Sequence, residues 1–74
     1  MTKQEIEREL KKYNEGAMSI NQTELMKARH KGRAWVKGFA EGLPFWREGR
    51  TVEYPLKAVV DRMYEELNAG GLEV

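Results

Sequence analysis

Asn21 and Glu24, three residues apart and bracketed by Ile20 and Leu25, mark the firmest helix start in this chain. An asparagine N-cap takes the backbone N–H of the third helical residue, and a glutamate at that position reaches back to the cap N–H. Ile20 and Leu25 hold the N′ and N4 positions of a hydrophobic staple, which fixes the angle at which the chain enters the helix. The helix runs to about Arg29. His30-Lys31-Gly32 breaks it, and Gly32 is an acceptable N-cap for a further helix over 33–41. Gly42 is its C′ stop, with Pro44 just beyond. Two short helices joined by a tight glycine-containing turn make a helix-turn-helix.

The flanking segments extend this unit. Thr2 to Asn14 reads as a first helix: Ile6, Leu10 and Tyr13 recur at i, i+4 and i+7, Thr2 and Glu5 form a capping-box pattern, and Gly16 ends it. Ala17 to Ile20 is a short extended lead-in. Phe45–Arg47 and Thr51–Tyr54 alternate as strands around Glu48-Gly49-Arg50, a hairpin pattern with glycine at the tip. Pro55 sits where a last helix begins, and Val59, Val60, Met63 and Leu67 give that helix an inward face. Asn68-Ala69-Gly70-Gly71 terminates it. The expected fold is α+β, mainly α: a winged helix-turn-helix with an extra N-terminal helix and a small β-hairpin wing. Residues 1–17 are the accessory helix, 18–68 the winged domain and 69–74 a flexible tail.

With 74 residues the chain builds one small core. A domain of this size holds roughly 3–5 kcal/mol without a staple. There is no cysteine, and His30 is the single histidine, so neither a disulfide nor a structural zinc site is expected. The charged N-terminus lacks the apolar stretch of a signal peptide, and no apolar run nears the ~20 residues that span a bilayer. A cytoplasmic protein without a membrane segment is the expectation. No repeat or low-complexity stretch is present.

Charge is distributed unevenly. Lys27 to Arg50 carries seven of the thirteen basic residues and two of the twelve acidic ones, a local charge of +5 in a chain whose net charge is +1. Such a block attracts a polyanion although the overall charge conceals it. No acidic residue occurs between Leu25 and Ala40. In the helix after Gly32, Val36, Phe39 and Ala40 share one face, and Arg33, Lys37 and Glu41 share another.

The second face is the candidate for base reading in a major groove. Arg33 is placed to give bidentate hydrogen bonds to guanine O6 and N7, and Lys37, one turn on, reaches a base edge or the flanking phosphate. Ala34 and Trp35 complete the set. Trp35 lies between the two faces, with packing and phosphate contact both open to it. Lys27, Arg29, His30 and Lys31 around the turn, with Arg47, are the candidates for sugar-phosphate contact, which positions a protein without reading sequence. Glu48, Gly49 and Arg50 form the wing tip. Arg50 either enters a minor groove, where arginine reads width and potential, or pairs with Glu48.

Gly38 inside a helix costs roughly 1 kcal/mol relative to alanine. It has two readings: close approach to DNA or a neighbouring helix, and a tolerated cost. Alternation predicts that one of Phe45 and Trp46 is buried and the other exposed. Met18, Met26 and Met63 read as core filler. Nothing in the chain suits nucleophilic or metal chemistry, so no enzyme activity, cofactor or metal is expected.

Thr23-Glu24-Leu25, Val36, Gly42-Leu43-Pro44-Phe45, Gly49-Arg50 and Tyr54 together resemble the winged helix-turn-helix of phage and mobile-element excisionases. That module is related to the MerR-type DNA-binding domain. The resemblance covers residues 18 to 67 and includes the eleven-residue step from Leu25 to Val36 and the six-residue step from Val36 to Gly42. Small phage terminase subunits and short phage repressors use the same module. The sequence departs from the family pattern in three places. His30 stands where a glycine is usual, Arg29 replaces an apolar residue, and Gly32 takes the place of a serine or threonine cap.

The resemblance implies a small architectural protein that binds direct repeats beside an attachment site, bends double-stranded DNA and biases an integrase or recombinase toward excision. A monomer in solution, cooperative on repeated sites, is the expected state. A phage transcriptional regulator or a terminase-type DNA-binding module is the alternative within DNA binding. Outside it stands a protein-interaction module, such as a phage-encoded inhibitor that turns its basic face to an acidic partner.

Overall fold

The structure is a computed structural model and describes residues 2–68. Seven elements follow one another: α1 (Lys3–Lys11), β1 (Ser19–Asn21), α2 (Gln22–Arg29), α3 (Arg33–Phe39), β2 (Trp46–Glu48), β3 (Thr51–Pro55) and α4 (Leu56–Asn68). Four helices and one three-stranded antiparallel sheet form a small, mainly helical α+β fold of the winged-helix kind. The expected tail, 69–74, lies outside the described residues. Among those described, no helix is long and apolar enough to cross a membrane.

Both capping boxes form. Thr2 N–H donates to Glu5 Oε1 at 2.8 Å and Glu5 N–H donates to Thr2 Oγ1 at 3.2 Å. Hydrogen bonding from the Thr2 backbone, then from its side chain, holds the Glu5 carboxyl below the usual carboxylate range. At α2, Asn21 N–H donates to Glu24 Oε1 at 3.0 Å and Glu24 N–H to Asn21 Oδ1 at 2.8 Å. Satisfying these otherwise orphaned donors fixes where each helix begins.

α1 is shorter than its apolar spacing suggests. Glu15 and Gly16 take left-handed conformations with φ of 58° and 76°, and Gly16 N–H donates to the Lys11 carbonyl at 3.1 Å. The chain therefore turns after Lys11. Tyr13 is left 38% exposed, and the neighbouring Asn14 is buried in its stead. Asn14 Nδ2 donates to the carbonyls of Ala17 (3.0 Å) and Ser19 (2.8 Å), while its Oδ1 accepts from Gly16 N–H at 3.1 Å. One polar side chain thus ties the end of α1 to the start of β1.

The extended lead-in becomes a strand. β1 pairs with β3 in the register Ser19↔Pro55, Ile20↔Tyr54 and Asn21↔Glu53, and β2 pairs with β3 as Trp46↔Glu53, Arg47↔Val52 and Glu48↔Thr51. The sheet order β1-β3-β2 places the predicted hairpin at one side and adds a strand at the other. Pro55 is the last residue of β3 and directly precedes α4 rather than opening it. Leu56 N–H donates to the Met18 carbonyl at 2.8 Å, extending the link between β1 and β3 where Pro55 offers no N–H.

Ile20, Leu25, Val36 and Val59 are the most deeply buried side chains, one each from β1, α2, α3 and α4. Ile6 and Leu10 of α1, Phe39 and Ala40 behind α3, Tyr54 of β3, and Leu56, Val60 and Met63 of α4 enlarge this core. The accessory helix therefore shares the main core. Met63 is core filler and Met26 is half-buried, as expected, but Met18 is 87% exposed. Its carbonyl is held in the sheet while it borders a groove lined by Pro55, Leu56 and Val60. Leu67 is only half-buried at the far end of α4.

Candidate nucleic-acid interface

α3 begins at Gly32, which is extended and makes no side-chain cap bond. It ends at Phe39, two residues before the expected limit. Ala40 leaves helical geometry with ψ of 0°, and Gly42 turns the chain with φ of 84°. Arg62 of α4 seals this end: its Nη1 donates to the Phe39 carbonyl at 2.8 Å and to the Glu41 carbonyl at 3.1 Å. A cation beside unpaired C-terminal carbonyls also favours the helix dipole. No local sequence pattern announces this contact, because it depends on how α4 packs behind α3.

Val36 and Phe39 of α3, together with the following Ala40, face the core. The opposite side exposes Arg33, Ala34, Lys37 and Gly38. Ala34 and Gly38 form one column of this surface and Arg33 and Lys37 the column beside it, so the helix presents a low surface with charge at its side. An added Cβ at Gly38 meets nothing within 4 Å, which removes close approach to a neighbouring helix as the reason for this glycine. Trp35 differs from the rest of the expected base-reading set. It is half-buried, stacks on Phe39 with ring centroids 4.9 Å apart, and carries the Arg29 guanidinium 5.9 Å from its ring centroid. Arg29 thus packs over an aromatic ring.

Lys27, Arg29, His30 and Lys31 are all exposed around the α2–α3 turn. His30 caps α2 in the left-handed region, φ 54° and ψ 43°. That conformation suits glycine better, since a Cβ is crowded in it.

In the wing, Gly49 and Arg50 form a two-residue turn between Glu48 and Thr51, with Gly49 at φ 62°. Glycine first is the arrangement of a type II′ hairpin turn. Arg47 and Arg50 are exposed. Glu48 Oε1 accepts from Trp46 Nε1 at 3.1 Å, so its carboxylate engages the indole, not Arg50.

Phe45 and Trp46 are both exposed, at 60% and 40%, against the expectation that one would be buried. Phe45 precedes the first paired residue of β2 and escapes the alternation. Trp46 lies on the outer sheet face with Glu48.

Electrostatically, the two halves of the molecule differ. Among the described residues the ion pairs are Lys3–Asp61 (3.1 Å), Lys11–Glu7 (3.2 Å) and Lys12–Glu9 (2.8 Å). All three involve α1 or its cap. None of the seven cations between Lys27 and Arg50 takes part in them. Comparison of the chain with protein-family models, curated proteins and solved structures finds no match.

Proposed function

We propose that this protein binds double-stranded DNA through α3 and the β2–β3 wing, with α3 in the major groove and the wing over the adjacent minor groove. One observation carries the reading: all seven cations of the Lys27–Arg50 block are exposed and take part in none of the ion pairs of the described residues, whereas Lys3, Lys11 and Lys12 at α1 are paired and Arg8 alone there is not. Exposed cations that no carboxylate neutralises are available to phosphate, and releasing the counterions of DNA then drives association. Arg33 is the base-edge candidate, and Lys37, one turn on, reaches a base edge or the flanking phosphate. Lys27, Arg29, His30, Lys31 and Arg47 meet the sugar-phosphate backbone, and Arg50 works from the wing tip.

The low surface at Ala34 and Gly38 supports close approach of the helix to a groove floor. Trp35 supports the platform from the core side by its stack with Phe39. A single module of this kind buries about 600–1,000 Å² on DNA, so useful specificity calls for several copies on repeated sites. The excisionase resemblance suggests such an architectural role beside a recombinase, and a phage transcriptional regulator would use the same surface.

Titration of duplex DNA at several salt concentrations tests the proposal. Neutralising several phosphates gives a linear fall of log K with log salt, with a slope of about −0.9 per phosphate. No binding even at low salt would discard DNA and leave an acidic protein partner as the ligand of this face.

A further inference from the structure

Phe45 lines a cleft of about 290 Å³ between the end of α3 and the wing. Lys37 reaches it from α3 and Arg47 from β2, with Val52 and Tyr54 on the apolar side and Glu41 as the single acidic lining residue. Phe45 is the most exposed aromatic side chain among the described residues that line a cleft with free cations.

The register shows which sheet face this is. Arg47 lies opposite Val52, so both share the cleft face, whereas Trp46, Glu48 and Glu53 share the other. The outer face therefore carries two carboxylates, and the cleft face carries the cations. A polyanion approaching the wing is directed to the Phe45 side.

We propose that Phe45 is a DNA-contacting residue that covers the apolar surface of one nucleotide, a thymine methyl or a deoxyribose, while Lys37 and Arg47 hold the flanking phosphates. The assignment rests on the duplex-binding reading given above and adds a contact that charge alone does not supply. An exposed phenyl ring lining one cleft with two cations that make no ion pair matches the chemistry of a nucleotide, which places apolar sugar and base surface beside anionic oxygen.

The test uses the full chain and a duplex selected by the wild-type protein from a random pool. Phe45→Ala lowers affinity roughly 10-fold, the scale of one aromatic–nucleotide contact. Its salt slope stays that of the wild type, because no phosphate contact is lost. Lys37→Ala reduces the slope by about 0.9. Phe45→Leu, which keeps apolar surface, retains most of the affinity.

Deoxyuridine scanning then separates the two surfaces. A position where wild type loses affinity and Phe45→Ala does not identifies a thymine methyl; no such position identifies the sugar. Wild-type affinity in Phe45→Ala overturns the assignment while leaving duplex binding intact. A thermal destabilisation that accounts for the lost binding also overturns it, by making Phe45 a structural residue. Failure of the wild type to bind any duplex removes the underlying reading and is a distinct result.

Discussion

Arg62 Nη1 lies 2.8 Å from the carbonyl oxygen of Phe39, so the last turn of α3 is held from behind by a side chain of α4. The same nitrogen reaches the Glu41 carbonyl at 3.1 Å, bridging the helix end and the turn toward Gly42. The helix that presents Arg33 and Lys37 thus has a sealed C-terminus and an N-terminus without a side-chain cap.

Arg62→Ala is expected to destabilise the fold. Hydrogen bonds from a charged donor contribute about 1.5–3 kcal/mol, and a half-buried guanidinium falls near the lower end. Arg62→Lys, with one ammonium in place of the guanidinium fork, recovers part of the loss. Urea unfolding of the three proteins measures it, and an unchanged midpoint for Arg62→Ala would show that water replaces the contact at no cost.

Asn14→Ala removes three hydrogen bonds made by a buried side chain, two of them to the carbonyls of Ala17 and Ser19. A buried polar group left unpaired costs about 1–3 kcal/mol. The predicted consequence is a lower melting temperature together with faster amide exchange in the turn between α1 and β1. Full protection of that turn in the variant would contradict the role given to Asn14.

His30→Gly is expected to stabilise the protein. A non-glycine residue in the left-handed region costs roughly 1–2 kcal/mol, part of which is offset by the greater freedom of glycine when unfolded. A net gain of about 0.5–1 kcal/mol raises the melting temperature by a few degrees in a domain of this size. A fall in melting temperature would mean that the imidazole makes a compensating contact.

The parts of the fold legible in the sequence are those set by neighbours in the chain. Asn21 with Glu24, Thr2 with Glu5, and Gly49 at the wing turn each act within a few residues, and each forms as its pattern predicts. Features set by distant partners were not legible. β1 exists because Ser19 to Asn21 find Glu53 to Pro55, and Arg62 reaches Phe39 across the packed helices. The exposed side of α3 followed from its 3.6-residue period, which put Val36, Phe39 and Ala40 inward and left Arg33 and Lys37 outside. The period did not reveal that Trp35 would be claimed by Phe39 and Arg29. Nor did it show that Phe45, one residue before β2 begins, would be left in the open.

Within the proposed interface, Arg33 and Lys27 are expected to behave differently. Arg33→Ala costs about 1–3 kcal/mol on a selected site and relaxes specificity at one base pair. Lys27→Ala weakens all duplexes about equally and reduces the salt slope by about 0.9. Binding to a panel of single-substitution duplexes separates the two. Identical profiles would remove the base-reading role of Arg33.

Gly38 gives the sharpest separation of fold from function. It sits within α3 on the exposed side, and a Cβ there meets nothing within 4 Å. Replacing glycine by alanine in an exposed helix interior stabilises by about 1 kcal/mol, or about 4–8 °C in a domain of this length. If the α3 surface sits against a groove floor, the added methyl group projects beside Lys37 into that contact and weakens DNA binding. Gly38→Ala is therefore expected to melt higher and bind more weakly, a combination that a purely structural role does not produce. Higher melting with unchanged binding would mean that the helix stands off from its ligand, and the base-edge contact assigned to Arg33 would have to be given to phosphate instead.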